Sequence, residues 1–317
     1  MQSEKLGEPR RLVIDESSFS FHDIGDTEAE YALDDFNDLL SEILHSGVIV
    51  AKFSCCLDIE CRAGLPLYKL LYEQAAAIDA ETLRRCSALL DRCADWDDDV
   101  DDVPTTCEVA DKQVESWSLG YAMMRSSTHF MACLVCSTAG RQGVLTVSAG
   151  DSSAEIYFLV ETSGLVEYWQ LTLSRENVEV ENFFSIATHA FPRLAFHSEL
   201  DFRKFRGGYE EVYDWVVQTL AVLNNHLGQS FETRKGVRHL IQRDMASHGL
   251  EISPESSQTH KNKKATSQRV VEYNHELHSC EWHAKRLWDT DRIHFTTPGS
   301  LSDGRTLIGI FVDHLDT

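Results

Sequence analysis

Cys280-Glu-Trp-His-Ala-Lys-Arg-Leu-Trp288, Asp289-Thr-Asp-Arg-Ile-His-Phe295 and Arg305-Thr-Leu-Ile-Gly-Ile-Phe-Val-Asp-His-Leu315 lie near the end of this 317-residue sequence. All three read as strands: short runs of aromatic and β-branched residues, separated by Asp, Gly and Pro. Side chains alternate faces along a strand. Glu281, His283 and Lys285 then share one face, and Arg292 shares one with His294. Thr306, Ile308, Ile310, Val312 and His314 share a third. Paired as a three-stranded antiparallel module, these strands bring His283, Lys285, Arg292, His294 and His314 to a common surface.

Upstream of this module, 252–268 has the polar composition of an exposed loop. A basic helix is expected over 232–247, and the strongest helical stripe is Val212, Trp215, Val216, Leu220 and Leu223, over 209–227. Another helix is expected over 177–189, before Pro192. The runs 130–138, 143–147, 154–161 and 165–173 suggest a four-stranded antiparallel meander. At the N-terminal side, 11–14 reads as a strand ending at Asp15. The segment 27–45 reads as an amphipathic helix stopped by Gly47. A strand over 48–53 and helices over 65–76 and 79–94 follow. The acidic run from Trp96 to Pro104 marks a domain boundary near 95–115. The expected fold is α+β: a mainly helical N-terminal domain (1–110), an α+β middle domain (111–250), and a linker plus C-terminal β module (251–317).

The net charge is −22, and it is uneven. The segment from Thr233 onward holds 12 Lys and Arg against 11 Asp and Glu, and the first 232 residues hold 17 against 40, so the whole excess of acid lies before Thr233. Eight of the 14 histidines fall in that same C-terminal segment. An acidic body repels nucleic acid at long range, which argues against a general nucleic-acid coat. It leaves open a local basic site or docking of a basic protein partner. No apolar run approaches the roughly 20 residues of a membrane helix, and the first residues lack the shape of a signal peptide. A soluble cytoplasmic protein without membrane contact is expected. The nine cysteines are odd in number and scattered, so reduced thiols are expected. No phosphate-binding loop, dinucleotide-binding glycine pattern or nucleophile elbow is present, so no cofactor is expected.

RNA cleavage needs a base for the 2′-hydroxyl, a cation for the phosphate and an acid for the leaving oxygen. Histidine and arginine fill these roles near neutral pH. The pattern Asp291-Arg-Ile-His-Phe295, a turn, then Leu307-Ile-Gly-Ile-Phe-Val-Asp-His-Leu315 resembles the final strands of RelE-type toxin ribonucleases. The resemblance covers about 40 residues. It implies a metal-independent ribonuclease with His283 and His294 as acid and base, Lys285 and Arg292 holding the phosphate, and His314 orienting. Binding of RNA or a nucleotide without cleavage would use the same residues.

Three other clusters were weighed. His275-Glu-Leu-His-Ser-Cys280-Glu-Trp-His283 is dense in zinc-ligand types, but so close a spacing cannot close on one ion from a single strand. Cys133 and Cys136 form the only Cys-x-x-Cys. Leu12-Val-Ile-Asp-Glu-Ser-Ser-Phe19 resembles the opening of PIN-type nucleases, which implies a divalent metal held by Asp15 with Glu42 or Asp97, Asp98 or Asp99. Phe202-Arg-Lys-Phe-Arg-Gly-Gly208 reads as a base-stacking loop or an anchor for the next helix. Lys261, Lys263 and Lys264 read as phosphate contacts or solubilising charge.

Segments such as Ala190-Phe-Pro-Arg-Leu-Ala-Phe196 and Ser253-Pro-Glu-Ser256, with the terminal strands, are similar to uncharacterised bacterial proteins of phage-defence and toxin-like loci. That resemblance implies a component of an anti-phage defence complex. Three readings follow from the sequence. One is a defence component that binds or cleaves RNA or a nucleotide through the C-terminal surface. Another is a non-catalytic adaptor whose acidic body docks a basic partner. The third is a metal-dependent nuclease centred on Asp15.

Overall fold

The computed structural model describes residues 10–73, 76–96, 102–287 and 290–315. It divides into two units, Met1–Tyr168 and Trp169–Thr317. In the first, the order is β1 (Leu12–Ile14), α1 (Asp26–His45), β2 (Val50–Lys52), the hairpin β3 (Glu60–Arg62) and β4 (Leu65–Pro66), α2 (Leu67–Glu73), α3 (Ala80–Leu90) and β5 (Ala94–Asp95). The hairpin β6 (Thr106–Val109) and β7 (Lys112–Glu115), α4 (Trp117–Arg125), β8 (Ala132–Leu134), β9 (Gly143–Ala149), β10 (Ser152–Leu159) and α5 (Gly164–Arg175) follow. One sheet has the order β5-β2-β1-β8-β10-β9-β6-β7. From β5 to β10 neighbours run parallel; β9, β6 and β7 extend the sheet antiparallel.

A parallel strand covered on both faces has no side to give to polar residues. Leu12, Val13 and Ile14 are accordingly all fully buried. In α1 the buried Ala29, Ala32, Leu33, Phe36, Leu39, Leu40 and Ile43 follow the helical period. Gly47, at φ +81°, ends that helix in the left-handed region that glycine tolerates. All nine cysteines are free and eight are buried. Burial pushes the Cys86 thiol up to about 12, so it acts as a small hydrophobe.

The N-terminal region is therefore not a separate helical domain. Its strands β1, β2 and β5 belong to the same sheet as β8 and β10, and the division falls at Tyr168. Strands of two or three residues carry too little periodicity to outweigh the helices between them. The expected meander differs as well. β9 and β10 form an antiparallel hairpin, but β8 joins β10 in parallel, and 165–173 lies within α5. The buried positions there, Tyr168, Trp169, Thr172 and Leu173, recur at helical spacing.

The second unit contains α6 (Val180–Ala190), β11 (Leu194–Phe196), α7 (Tyr209–Val222), α8 (Gly228–Thr233), α9 (Arg238–Ser247) and β12 (Ile252–Pro254). A one-turn π-helix, Leu223–Leu227, joins α7 to α8. Short helices α10 (Ser257–Lys261) and α11 (Lys263–Ser267) occupy the segment expected to be a loop. The hairpin β13 (Val270–Tyr273) and β14 (Glu276–Ser279) follows, then β15 (Trp282–Lys285), β16 (Arg292–Phe295) and β17 (Thr306–Val312). The sheet order is β11-β17-β16-β15-β12. Its last three strands in sequence form the antiparallel module read from the sequence; β12 and β11 flank it. Phe202 and Phe205 pack on Phe311 with ring centroids 5.3 and 4.7 Å apart, so the aromatics of the 202–208 loop serve as an anchor. Among the described residues no helix is long and apolar enough to cross a membrane.

Helix α4 approaches the preceding segment at a glycine. A Cβ on Gly120 would sit 1.8 Å from the Pro104 carbonyl oxygen, a backbone atom with little freedom to move. Gly120→Ala is expected to lower the stability of the first unit by about 1–3 kcal/mol or more. Denaturant unfolding checks this; an unchanged midpoint would show that α4 does not pack there.

Candidate functional site

In an open α/β sheet, the crevice outside the carboxyl ends of the strands forms where successive connections diverge. Here the chain leaves β1 for β2 on one side, and β8 lies on the other. The segment after β1 contributes Glu16, Ser17, Ser18 and Ser20. The segment after β8 contributes Thr138, Ala139, Gly140 and Arg141. With Trp117 at the start of α4, these line a crevice of about 860 Å³.

Asp15 follows directly on buried Ile14 and is itself fully buried. Its Oδ1 accepts from the Ser17 backbone N–H at 3.1 Å and the Ser17 hydroxyl at 2.6 Å, capping the short helix Glu16–Phe19. Arg141 Nη1 lies 3.1 Å from Asp15 Oδ2, and Nη2 donates to Ser17 Oγ at 3.0 Å. The guanidinium, only 8% exposed, also sits 5.7 Å from the centroid of the Phe158 ring. A buried charge needs such a counterion, because desolvation without one costs several kcal/mol.

Glu16 is satisfied differently. Its Oε1 accepts from the backbone N–H groups of Trp117 at 2.5 Å and Ser118 at 3.2 Å, and from the Ser116 hydroxyl at 3.2 Å. The carboxylate thus caps the N-terminus of α4, where free N–H groups and the helix dipole favour negative charge. Burial and then the neighbouring Asp15 charge still push its carboxyl above the usual range. Four buried polar atoms of crevice residues have no hydrogen-bond partner among the described residues: Glu16 Oε2, Thr138 Oγ1, Arg141 Nε and Arg141 Nη1, the last in the ion pair with Asp15.

The C-terminal strands bring together four of the five residues singled out in the sequence. His283 pairs with His294 and Lys285 with Arg292 across β15 and β16, all on one face. The imidazole centroids are 5.1 Å apart. This face is interior: His294 is 0% exposed, His283 7% and Arg292 8%. Lys285 is half-buried, with Nζ 3.9 Å from Glu251 Oε1. His314 is exposed and lies two residues beyond the end of β17. Glu255, just past β12, completes the cluster; its Oε1 lies 3.1 Å from His283 Nδ1, 3.4 Å from His294 Nδ1 and 2.9 Å from Arg269 Nε. Desolvation lowers both imidazoles, His294 to about 4. Burial opposes ionisation of Glu255, but His283, His294 and Arg269 hold its carboxyl far below the usual range. Both rings lie inside the fold rather than on its surface.

The remaining candidates separate. Glu42 is exposed on α1, and Asp97, Asp98 and Asp99 lie outside the described residues. Asp15 has Arg141 as its counterion, and the carboxylate beside it is the adjacent Glu16. His275 is fully exposed at a hairpin turn, and Cys133 and Cys136 are buried in apolar surroundings. Lys261, Lys263 and Lys264 are exposed. Among the described residues, one group of three has ligand atoms close enough for a metal ion: Glu255, His283 and His294, within 4.8 Å of one another. Sequence reasoning missed Arg141, Glu255 and Arg269. None lies in a periodic run, and only the tertiary pairing gives each a partner.

Comparison with known proteins finds no matching family model, no similar curated protein and no similar solved structure. Two stability outcomes test the crevice. Asp15→Ala leaves the Arg141 charge buried without a counterion and is expected to cost about 3–5 kcal/mol. Glu16 has a folded-state pKa above its unfolded value, so the folded state binds the extra proton. Its contribution to stability is present below about 4.5 and is lost as pH rises through the folded pKa. Glu16→Gln keeps an oxygen acceptor for α4, so it is expected to unfold at higher denaturant than the parent at neutral pH and to lose this advantage in acid. A variant less stable than the parent at neutral pH would contradict this.

Proposed function

We propose that the crevice at the end of β1 binds a small nucleotide-type ligand, with phosphate on Arg141 and Thr138 and a base against Trp117. The observation that carries this reading is the buried Arg141 on the crevice wall, with its Nε unpartnered, in a crevice that the unpartnered Thr138 hydroxyl also lines. Buried donors without partners are rare in folded proteins and mark places where something else binds. Arginine presents its donors in a fork that matches phosphate.

Trp117 supports the same ligand class. It lines the crevice, is 43% exposed, and stacks on Phe53 at a centroid distance of 5.1 Å. An exposed ring held flat from behind is a platform for a base. The volume lies within the roughly 300–1,000 Å³ of small-molecule sites. The exposed acids Asp23, Glu60 and Glu115 also line the crevice. They repel an extended polyanion but leave room for one phosphate, so a mononucleotide fits better than an RNA strand. The ligand class is one the sequence suggested; the residues are different from the C-terminal set. In the phage-defence setting that the sequence resemblance implies, this unit would be the receptor for a nucleotide signal.

Equilibrium dialysis of the full chain against a set of nucleoside mono- and triphosphates, with and without Mg²⁺, tests the proposal. At least one is expected to bind. Trp117→Ala is expected to weaken it by about 1–3 kcal/mol, the worth of one stacked base. Thr138→Val is expected to weaken it by about 0.5–1.5 kcal/mol, one hydrogen bond. No binding to the folded chain, or binding that both variants leave unchanged, would overturn the reading.

A further inference from the structure

The buried cluster of the second unit presents a different chemical problem. Three nitrogens, from Arg269, His283 and His294, converge on one carboxylate oxygen, Glu255 Oε1, at 2.9, 3.1 and 3.4 Å. A carboxylate oxygen offers about two lone pairs, so it cannot accept from all three. His283 Nδ1 makes the hydrogen bond; Arg269 Nε is an ion-pair contact without one, and His294 has neither a hydrogen bond nor a charge of its own to offer. This ring is fully buried, and neither Nδ1 nor Nε2 has a hydrogen-bond partner among the described residues. A neutral imidazole in that position forfeits the full cost of desolvating two polar atoms.

We propose that Glu255, His283 and His294 bind one divalent transition-metal ion, of the zinc class, through Glu255 Oε1 and the two Nδ1 atoms. The ion then supplies His294 Nδ1 with the partner that the fold does not. One lone pair of Oε1 and the lone pairs of both Nδ1 atoms go to the ion, and the other lone pair of Oε1 accepts from Arg269. The spacing fits. Bonds of about 2.0–2.2 Å in a tetrahedral site put ligand atoms about 3.3 Å apart, close to the 3.1 and 3.4 Å separations from Oε1 to the imidazoles. Two imidazoles and a carboxylate suit zinc and its neighbours rather than magnesium or calcium, which take oxygen ligands.

The fold holds these ligands without help from the ion. His283 and His294 are directly opposed across β15 and β16, which fixes their separation. Glu255 is tied to β15 by its backbone N–H donating to the Glu281 carbonyl at 2.8 Å. Arg269, which also donates from Nη1 to the Ala265 carbonyl at 2.7 Å, holds the carboxylate from outside. Such outer partners orient ligands in metal sites. Three protein ligands leave a fourth position for water or another small ligand. The rival arrangement is a plain Glu255–Arg269 ion pair flanked by two neutral histidines. It leaves His294 unpartnered, and it predicts no metal.

The test uses the tag-free full chain. Metal content is read by inductively coupled plasma mass spectrometry after purification without chelator. The chain is then stripped and titrated with Co²⁺ while its visible absorption is followed. One ion per chain, and a saturable Co²⁺ spectrum at one equivalent, are expected. Glu255→Gln and His294→Ala should each lose the spectrum. Arg269→Gln should keep it with affinity lowered by about 10–100-fold, and His278→Ala should leave it unchanged. Circular dichroism identifies any variant that fails to fold, and the judgement then rests on the parent chain and the folded variants. A folded parent chain that holds no stoichiometric metal and gives no Co²⁺ spectrum overturns the proposal. So does a spectrum that survives in a folded Glu255→Gln or His294→Ala chain.

Discussion

A parallel strand buried on both faces determines the chemistry of the first unit. β1 places Leu12, Val13 and Ile14 in the interior, and the chain continues at once into Asp15 and Glu16, which are buried with it. Two adjacent carboxylates in a low-dielectric interior must each find compensation. Asp15 finds it in Arg141, from the segment after β8. Glu16 finds it at the N-terminus of α4. The two solutions draw the segment after β8 and the start of α4 to the end of β1, and this convergence forms the crevice walls. The crevice is a consequence of solvating two carboxylates with protein groups, and its remaining unpartnered donors follow from the same arrangement.

The second unit meets a related constraint with imidazoles. Cross-strand pairing of β15 with β16 sets His283 against His294 on an interior face, and Glu255 turns toward both. Burial disfavours the charged form of both rings, which favours their use as lone-pair donors. An acid–base pair on the surface would require the opposite environment. Residue types alone do not distinguish these cases; the difference lies in what covers the face.

Much of the C-terminal module was legible in the sequence. The alternation in 282–285 and 292–295 places His283, Lys285, Arg292 and His294 on one face, and the strands pair in that register. The helix over Asp26–His45 and its stop at Gly47 were also legible, because twenty residues repeat the helical period several times. The first sheet was hidden for the converse reason. β1, β2, β5 and β8 are two or three residues long, and their parallel partners lie far apart in sequence. Burial was hidden too, since His294 and an exposed strand histidine have the same local pattern. Asp15 attracted attention as a strand-end carboxylate. Its partner Arg141 did not, because nothing in Thr138-Ala-Gly-Arg141 specifies that the segment returns to the end of β1.

The Arg141 crevice is proposed to receive a phosphate-bearing small ligand. A crystal structure of the full chain grown with a saturating mononucleotide tests it most directly. A phosphate oxygen is expected within hydrogen-bond distance of the Arg141 guanidinium and the Thr138 hydroxyl, with the base over Trp117. A nucleotide bound elsewhere on the chain, or a crevice that stays empty at saturation, would contradict it.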